Sequence, residues 1–284
     1  MAAQASFAVS TPRRPALLKR LASTAVLLPV FLLIVIKAPG WMFNGLVVIA
    51  SATALWELMR LFEQGGRPTY RWLGVLSGTA VTAAFGASRL LDPLVLPVFI
   101  VTLVAGIVLS VAVWQGAPAT EPAANTLLGV IYVGWLLGFG ILLHHTTPIG
   151  DELVIFLVAV TWIGETTAYA VGSTIGRHKL APVISPRKTI EGAVAQVIAS
   201  VLSAVAFGAW LLPQCGSGMA LAGGALLGVV GQIGDLAESA IKRSVGTKDA
   251  GELIPGHGGV LDRIDSLLFN LPAFYYFTLA TGCR

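Results

Sequence analysis

Nine apolar runs separated by short polar segments make up most of the chain, at about 21–37, 41–59, 72–88, 93–114, 124–145, 152–175, 190–212, 219–241 and 262–281. The hydrocarbon of a bilayer is about 30 Å thick, and a helix needs roughly 20 mostly apolar residues to cross it. The pattern therefore predicts an all-α, polytopic integral membrane protein of about nine transmembrane helices, with the third run the weakest and the last one short. Residues 1–20 carry Arg13, Arg14, Lys19 and Arg20 among Ala, Ser and Pro. They read as a basic cytosolic tail, disordered or interfacial. No clear cleavage site follows, so this stretch is not expected to be a removed signal peptide.

Charge gives the runs an orientation. With the N-terminus cytoplasmic, the inner segments hold Arg13, Arg14, Lys19 and Arg20, then Arg60, Arg67 and Arg71, then Arg177, Lys179, Arg187 and Lys188, then Lys242, Arg243, Lys248 and Arg263. Only Lys37, Arg89 and Arg284 of the 18 bases fall outside. Such asymmetry is the positive-inside rule, and it gives nine spans with the C-terminus outside. A net charge of +4 and a pI of 9.3 would by themselves suit nucleic acid. The bases sort by membrane side instead, so no nucleic-acid partner is expected. A mean hydropathy of +0.82 agrees.

The two halves differ in polar content, which divides the chain into N-terminal membrane helices (21–123) and a C-terminal catalytic membrane region (124–284). In the first half Glu57 is the marked intramembrane acid, and Arg60, three residues on, is its expected structural partner. Glycines 134, 138 and 140 suit close helix packing. His144 and His145 end a run and read as interfacial. Cys215 and Cys283 form no metal-type cluster and read as two unpaired thiols.

The later runs hold the candidate chemistry. Glu165 lies mid-run in Trp162-Ile-Gly-Glu-Thr-Thr-Ala-Tyr169, and a carboxylate at membrane depth is costly enough to mark a functional site. A basic loop follows, ending in Ser185-Pro-Arg-Lys-Thr-Ile-Glu191-Gly192. The eighth run is glycine-rich and ends at Asp235 and Glu238. The stretch Ser239–Asp265 then packs four bases, four acids, a histidine and five glycines into 27 residues of a chain that is only 11% charged. Asp235, Glu238, Ser239 and Lys242 follow helical spacing and share a face. Gly-Glu-Leu-Ile-Pro-Gly-His-Gly-Gly cannot be regular helix and reads as a loop. Acids suit divalent metals, whereas Lys, Arg and glycine amides suit phosphates.

The pattern from Ser239 through Lys242-Arg243, Lys248-Asp249, Gly251, Ile254-Pro255, His257-Gly258-Gly259 and Asp262-Arg263 to Asp265 resembles the signature of phosphatidate cytidylyltransferases. The Ser185–Gly192 stretch resembles a second motif of that family, with Arg187 where lysine is usual. Both lie in roughly the last 160 residues; the first half matches in character only. The resemblance implies CTP and phosphatidate as substrates, CDP-diacylglycerol and pyrophosphate as products, and a place in phospholipid biosynthesis. It implies Mg2+ in a two-cation site, with aspartates at Asp235 and Asp262 as metal ligands; Asp265 and Glu165 fit the same role. Lys242, Arg243, Lys248 and Arg263 would cradle the triphosphate and pyrophosphate, and His257 would donate to a phosphate oxygen. Ser185, Arg187, Lys188, Thr189, Glu191, Ser239, Gly258 and Gly259 would bind substrate. The bilayer is a further partner and a homodimer is open. The location implied is a bacterial inner membrane with the site at the cytoplasmic face. Glu165 departs from the family, which usually has aspartate there. Two alternatives stay open: a cytidylyltransferase for another lipid phosphate (an ether lipid or polyprenyl phosphate), and, more distantly, an ion-coupled transporter, against which stands the crowding of polar residues into one half.

Overall fold

The computed structural model describes residues 14–89, 92, 94–115, 120–247, 250–251, 253 and 258–283. The helices are α1 (Arg14–Lys37), α2 (Gly40–Gln64), α3 (Arg71–Ala84), α4 (Val95–Gln115), α5 (Thr120–Gly129), α6 (Leu136–His144), α7 (Gly150–Thr174), α8 (Ile190–Leu211), α9 (Gly216–Ser244) and α10 (Leu261–Thr281). Each apolar run forms one rod. In the fifth, a π-helical turn at Val130–Trp135 joins α5 to α6. Thr82 on α3 donates to the Gly134 carbonyl there at 2.8 Å. Side-chain insertion into a helical ladder of this kind is a usual cause of an irregular turn. Helix α1 starts at Arg14, inside the stretch expected to be a tail.

Six helices are long and apolar enough to cross a membrane: α2, α4, the joined α5–α6 rod, α7, α8 and α9. The chain is thus a helical membrane protein. α3 has only 14 residues. α10 is long enough, but Asp262, Arg263, Asp265 and Asn270 lower its hydropathy.

Large apolar residues fill the core but also cover the outside of the bundle. α8 buries a stripe of small and polar residues, Gly192, Gln196, Ser200, Ala204 and Gly208. It exposes Leu202 and Trp210. α4 likewise exposes Phe99, Leu103, Val113 and Trp114. Lipid tails are as apolar as leucine, so helices gain by packing through small residues and leaving large ones to the lipid. At Gly228 of α9 a Cβ would lie 2.9 Å from the Val197 Cα of α8, so only glycine permits this crossing.

Two corrections concern the ends of the rods. The loop between α7 and α8 is not irregular: β1 (Lys179–Ala181) pairs antiparallel with β2 (Ser185–Thr189), the one strand pair among the described residues of an otherwise helical chain. Cys215 and Cys283 are not unpaired thiols but a disulfide, with Cα atoms 5.1 Å apart. Antiparallel α9 and α10 bring the residue before one helix next to the second residue after the other. At that end His145 also meets Asn44 at 3.1 Å. At the opposite end Arg67 donates to the Ser244 carbonyl at 3.3 Å, and Arg243 donates to the Ile184 carbonyl at 3.2 Å. The basic loops therefore gather at one end and the disulfide at the other.

Candidate active site

The site is built where α9 and α10 cross. Gly234 sets their approach: a Cβ there would stand 2.7 Å from the Asp265 carbonyl and 3.1 Å from the Ser266 Cα. The face of α9 expected from helical spacing is present. Ser239 donates to Asp235 at 3.4 Å, and Lys242 donates to Glu238 at 2.5 Å. Lys242 also reaches across to Asp262 Oδ1 on α10 at 2.9 Å.

Asp262 is a junction. Besides Lys242 it accepts from the amides of Ala250 (3.2 Å) and Gly259 (2.9 Å). It thus ties both described ends of the motif loop to the first turn of α10. Gly258 has φ +87°, and a Cβ on it would stand 3.0 Å from Asp262 Oδ2, so both conformation and space demand glycine. Lys248 and His257 lie outside the described residues. Arg263 is exposed.

The second motif stretch comes from the hairpin. Lys188 on β2 places its Nζ 2.7 Å from Asp235 Oδ2. Thr189 caps α8, its Oγ1 accepting from the Gly192 amide at 3.2 Å. Glu191 accepts from His178, from the amide at 3.2 Å and at Nδ1 at 2.7 Å. The Thr and Glu of this motif thus shape the hairpin and its helix, while Lys188 points into the site. Arg187 is exposed, and Ser185 pairs in register with Ala181. Arg243 bridges hairpin and motif loop, donating to the Ile184 and Thr247 carbonyls, both at 3.2 Å.

Glu165 on α7, Asp265 on α10 and Asp235 on α9 act on one another electrostatically, with Lys188 acting on them too. The sequence reading missed one residue here and gave another the wrong partner. Tyr132, on the π-helical turn, is buried with its hydroxyl unpartnered, in the field of Glu238, Asp265 and Asp235. Glu57 does not pair with Arg60, which is exposed. It crosses to α10 and accepts from the amides of Val260 at 3.1 Å and Leu261 at 2.9 Å. The hydropathy pattern gave Glu57 a local base as partner, and only tertiary packing reveals the backbone one.

Five carboxylates (Glu165, Asp235, Glu238, Asp262 and Asp265) thus face two lysines, Lys188 and Lys242. One oxygen of Glu238 is buried without a partner. Such an excess of negative charge suits cations. Among the described residues no three acids, histidines or cysteines stand close enough to hold a metal by themselves. A hard ion such as Mg2+ takes one or two carboxylates and completes its shell with water and substrate phosphate. The arrangement joins acids, bases and glycine amides at the mouth of a membrane bundle, the equipment for handling phosphate groups.

A profile of the cytidylyltransferase family matches residues 18–281, nearly the whole chain. The chain belongs to that family. Among similar proteins, the uncharacterized protein YnbB of Escherichia coli (strain K12) is 42% identical over 159 residues, 53% of either chain. A phosphatidate cytidylyltransferase of Staphylococcus saprophyticus is 41% identical over 150 residues, covering 53% of this chain and 56% of that protein. One of Staphylococcus aureus (strain COL) is 40% identical over 158 residues, with the same shares. The chain spans about half the length of the curated relatives it matches. The family match reaches back over α1 to α5, where the motif resemblance gave character only.

Proposed function

We propose that this chain transfers the cytidylyl group of CTP to phosphatidate, forming CDP-diacylglycerol and pyrophosphate for phospholipid synthesis. The observation that carries this is the Lys188–Asp235 pair, because it joins the Ser185–Gly192 stretch to the α9 face where Asp235 accepts from Ser239, the first residue of the longer motif. The names of the staphylococcal relatives support the lipid substrate.

In the reaction a phosphate oxygen of the lipid attacks the α-phosphorus of CTP. The bond from that phosphorus to the oxygen bridging to the β-phosphate breaks, and pyrophosphate leaves with the electron pair. Two anions must meet, so the site's first task is to offset their repulsion and hold them in line. Lys188, Lys242 and Arg243 supply positive charge, joined by Lys248 and Arg263. Asp235 and Asp265 would hold Mg2+, which would supply charge neutralisation to both phosphates, and Glu165 would add negative charge beside them. Asp262, engaged by Lys242 and two amides, would add to that set on releasing Lys242. The Gly258–Gly259 backbone can approach a phosphate closely, with His257 as donor. Ser239 orients Asp235, while Ser185, Arg187, Thr189 and Glu191 complete the substrate loop around Lys188.

The finer topology belongs to the same proposal: nine spans, N-terminus cytoplasmic, active site at the cytoplasmic face of a bacterial inner membrane, and 124–284 as the catalytic region. The gathering of Arg67, Arg243 and the hairpin at one end supports it. So does a disulfide at the other end, since such bonds persist in oxidising compartments.

The deciding assay is pyrophosphate release by the purified chain in lipid micelles with Mg2+, comparing CTP with the other nucleoside triphosphates and phosphatidate with polyprenyl and ether-lipid phosphates. Release that needs both CTP and phosphatidate is the expected result. Preference for another lipid phosphate would move the assignment to that substrate, and no release with any pair would exclude the reading.

A further inference from the structure

Glu57 sits outside every motif, on a helix of the first half, yet it is 6% exposed and its carboxylate accepts two hydrogen bonds at the start of α10. It accepts from the amides of Val260 and Leu261, two of the first amides of α10, which have no partner within that helix. Two glycines close around the same group: a Cβ at Gly251 would stand 2.7 Å from one carboxylate oxygen, and a Cβ at Gly259 2.6 Å from the other. Asp262, one residue past Leu261, binds the neighbouring amides of Ala250 and Gly259. Asp262 thus holds both described ends of the loop from within the site, through Ala250 and Gly259, while Glu57 holds the start of α10 from α2 and packs beside Gly251 and Gly259.

We propose that Glu57 is a positioning residue for cytidyl transfer: it fixes the start of α10, and through it Asp262 and Lys242, against the N-terminal half. This rests on the reading given above. A charged acceptor at the positive end of a helix makes short, directional bonds to its amides. Only a carboxylate offers two acceptors in that geometry. An amide in its place would turn a donor toward one of the two N–H groups. Misplacement of a reacting group by about 1 Å can cost on the order of a hundredfold in rate. Gly251 and Gly259 are explained by the same contact, since any side chain there would push the carboxylate off the helix end.

The test compares wild type, Glu57→Gln and Gly251→Ala in the CTP and phosphatidate assay, on detergent-purified, monodisperse protein. Wild-type inactivity would sink the reading of function itself and is scored first. With active wild type, both variants are expected to lose at least about tenfold in kcat, with KM for phosphatidate within about twofold. Hydrogen exchange should speed up in the peptide spanning 258–265 and stay unchanged in α4. A purely structural residue would lower yield but leave kcat per folded molecule unchanged, so kcat within twofold of wild type in either monodisperse variant overturns the proposal. Should Glu57→Gln not yield monodisperse protein, Gly251→Ala, which keeps the charge, decides by the same criterion. Loss of both to aggregation would show a folding role only and equally overturn it.

Discussion

Lys188 and Asp235 lie 2.7 Å apart, although one sits on a hairpin before α8 and the other near the end of α9. If the pair were only a structural ion pair, exchanging its charges would restore it. If each partner faces a different part of the reaction, exchange cannot help. Asp235→Asn and Lys188→Ala are expected to lower turnover by about two to three orders of magnitude, since cations positioned on phosphates supply several kcal/mol. The double exchange Lys188→Asp/Asp235→Lys should stay as inactive as either single variant. Recovery to a tenth of wild-type kcat would reduce the pair to scaffolding.

Glu165 carries one methylene more than the family's usual aspartate and shares its surroundings with Asp235 and Asp265. Glu165→Gln is expected to cripple turnover and raise the Mg2+ concentration needed for half-maximal rate. Glu165→Asp keeps the charge and loses only reach, so it should be milder. A Mg2+ titration of Glu165→Gln that overlays the wild type would leave the residue a role in joining helices only.

The α9–α10 crossing predicts a sharp contrast between glycines. Gly234→Ala must push backbone away and is expected to cost about 1–3 kcal/mol, as overpacking does, with activity falling because Asp235 and Asp265 flank the contact. Gly218→Ala, on the same helix with nothing within 4 Å, should be neutral. Equal thermal midpoints for the two variants in detergent would contradict the tight crossing.

Topology can be read with fused reporters. One placed after Arg284 should report from the extracytoplasmic side, and one at Arg67 from the cytoplasm. Both on one side would break the nine-span arrangement.

Much of the architecture was legible because lipid imposes a simple rule: one long apolar run, one rod. The helical face from Asp235 to Lys242 was legible for a similar reason, being set by local periodicity alone. What stayed hidden depended on contacts between distant segments. The hairpin between α7 and α8 is too short and polar to announce itself. Glu57 offered a nearby arginine as a local explanation, but its true partners are backbone amides, which carry no sequence signature. Tyr132 is one aromatic among many, and only the π-helical turn brings it to the acids. The cysteines share no spacing pattern, their meeting being a property of the α9–α10 pair.

The Cys215–Cys283 bond also makes the last two rods, with the catalytic loop between them, a closed covalent ring. A single cut of the backbone in that loop would place Asp235 on one fragment and Asp262 on the other. The fragments would still be leashed together at the far face of the bilayer. They would migrate as one band until a reductant was added, and the two halves of the candidate site would remain neighbours after the peptide joining them was gone.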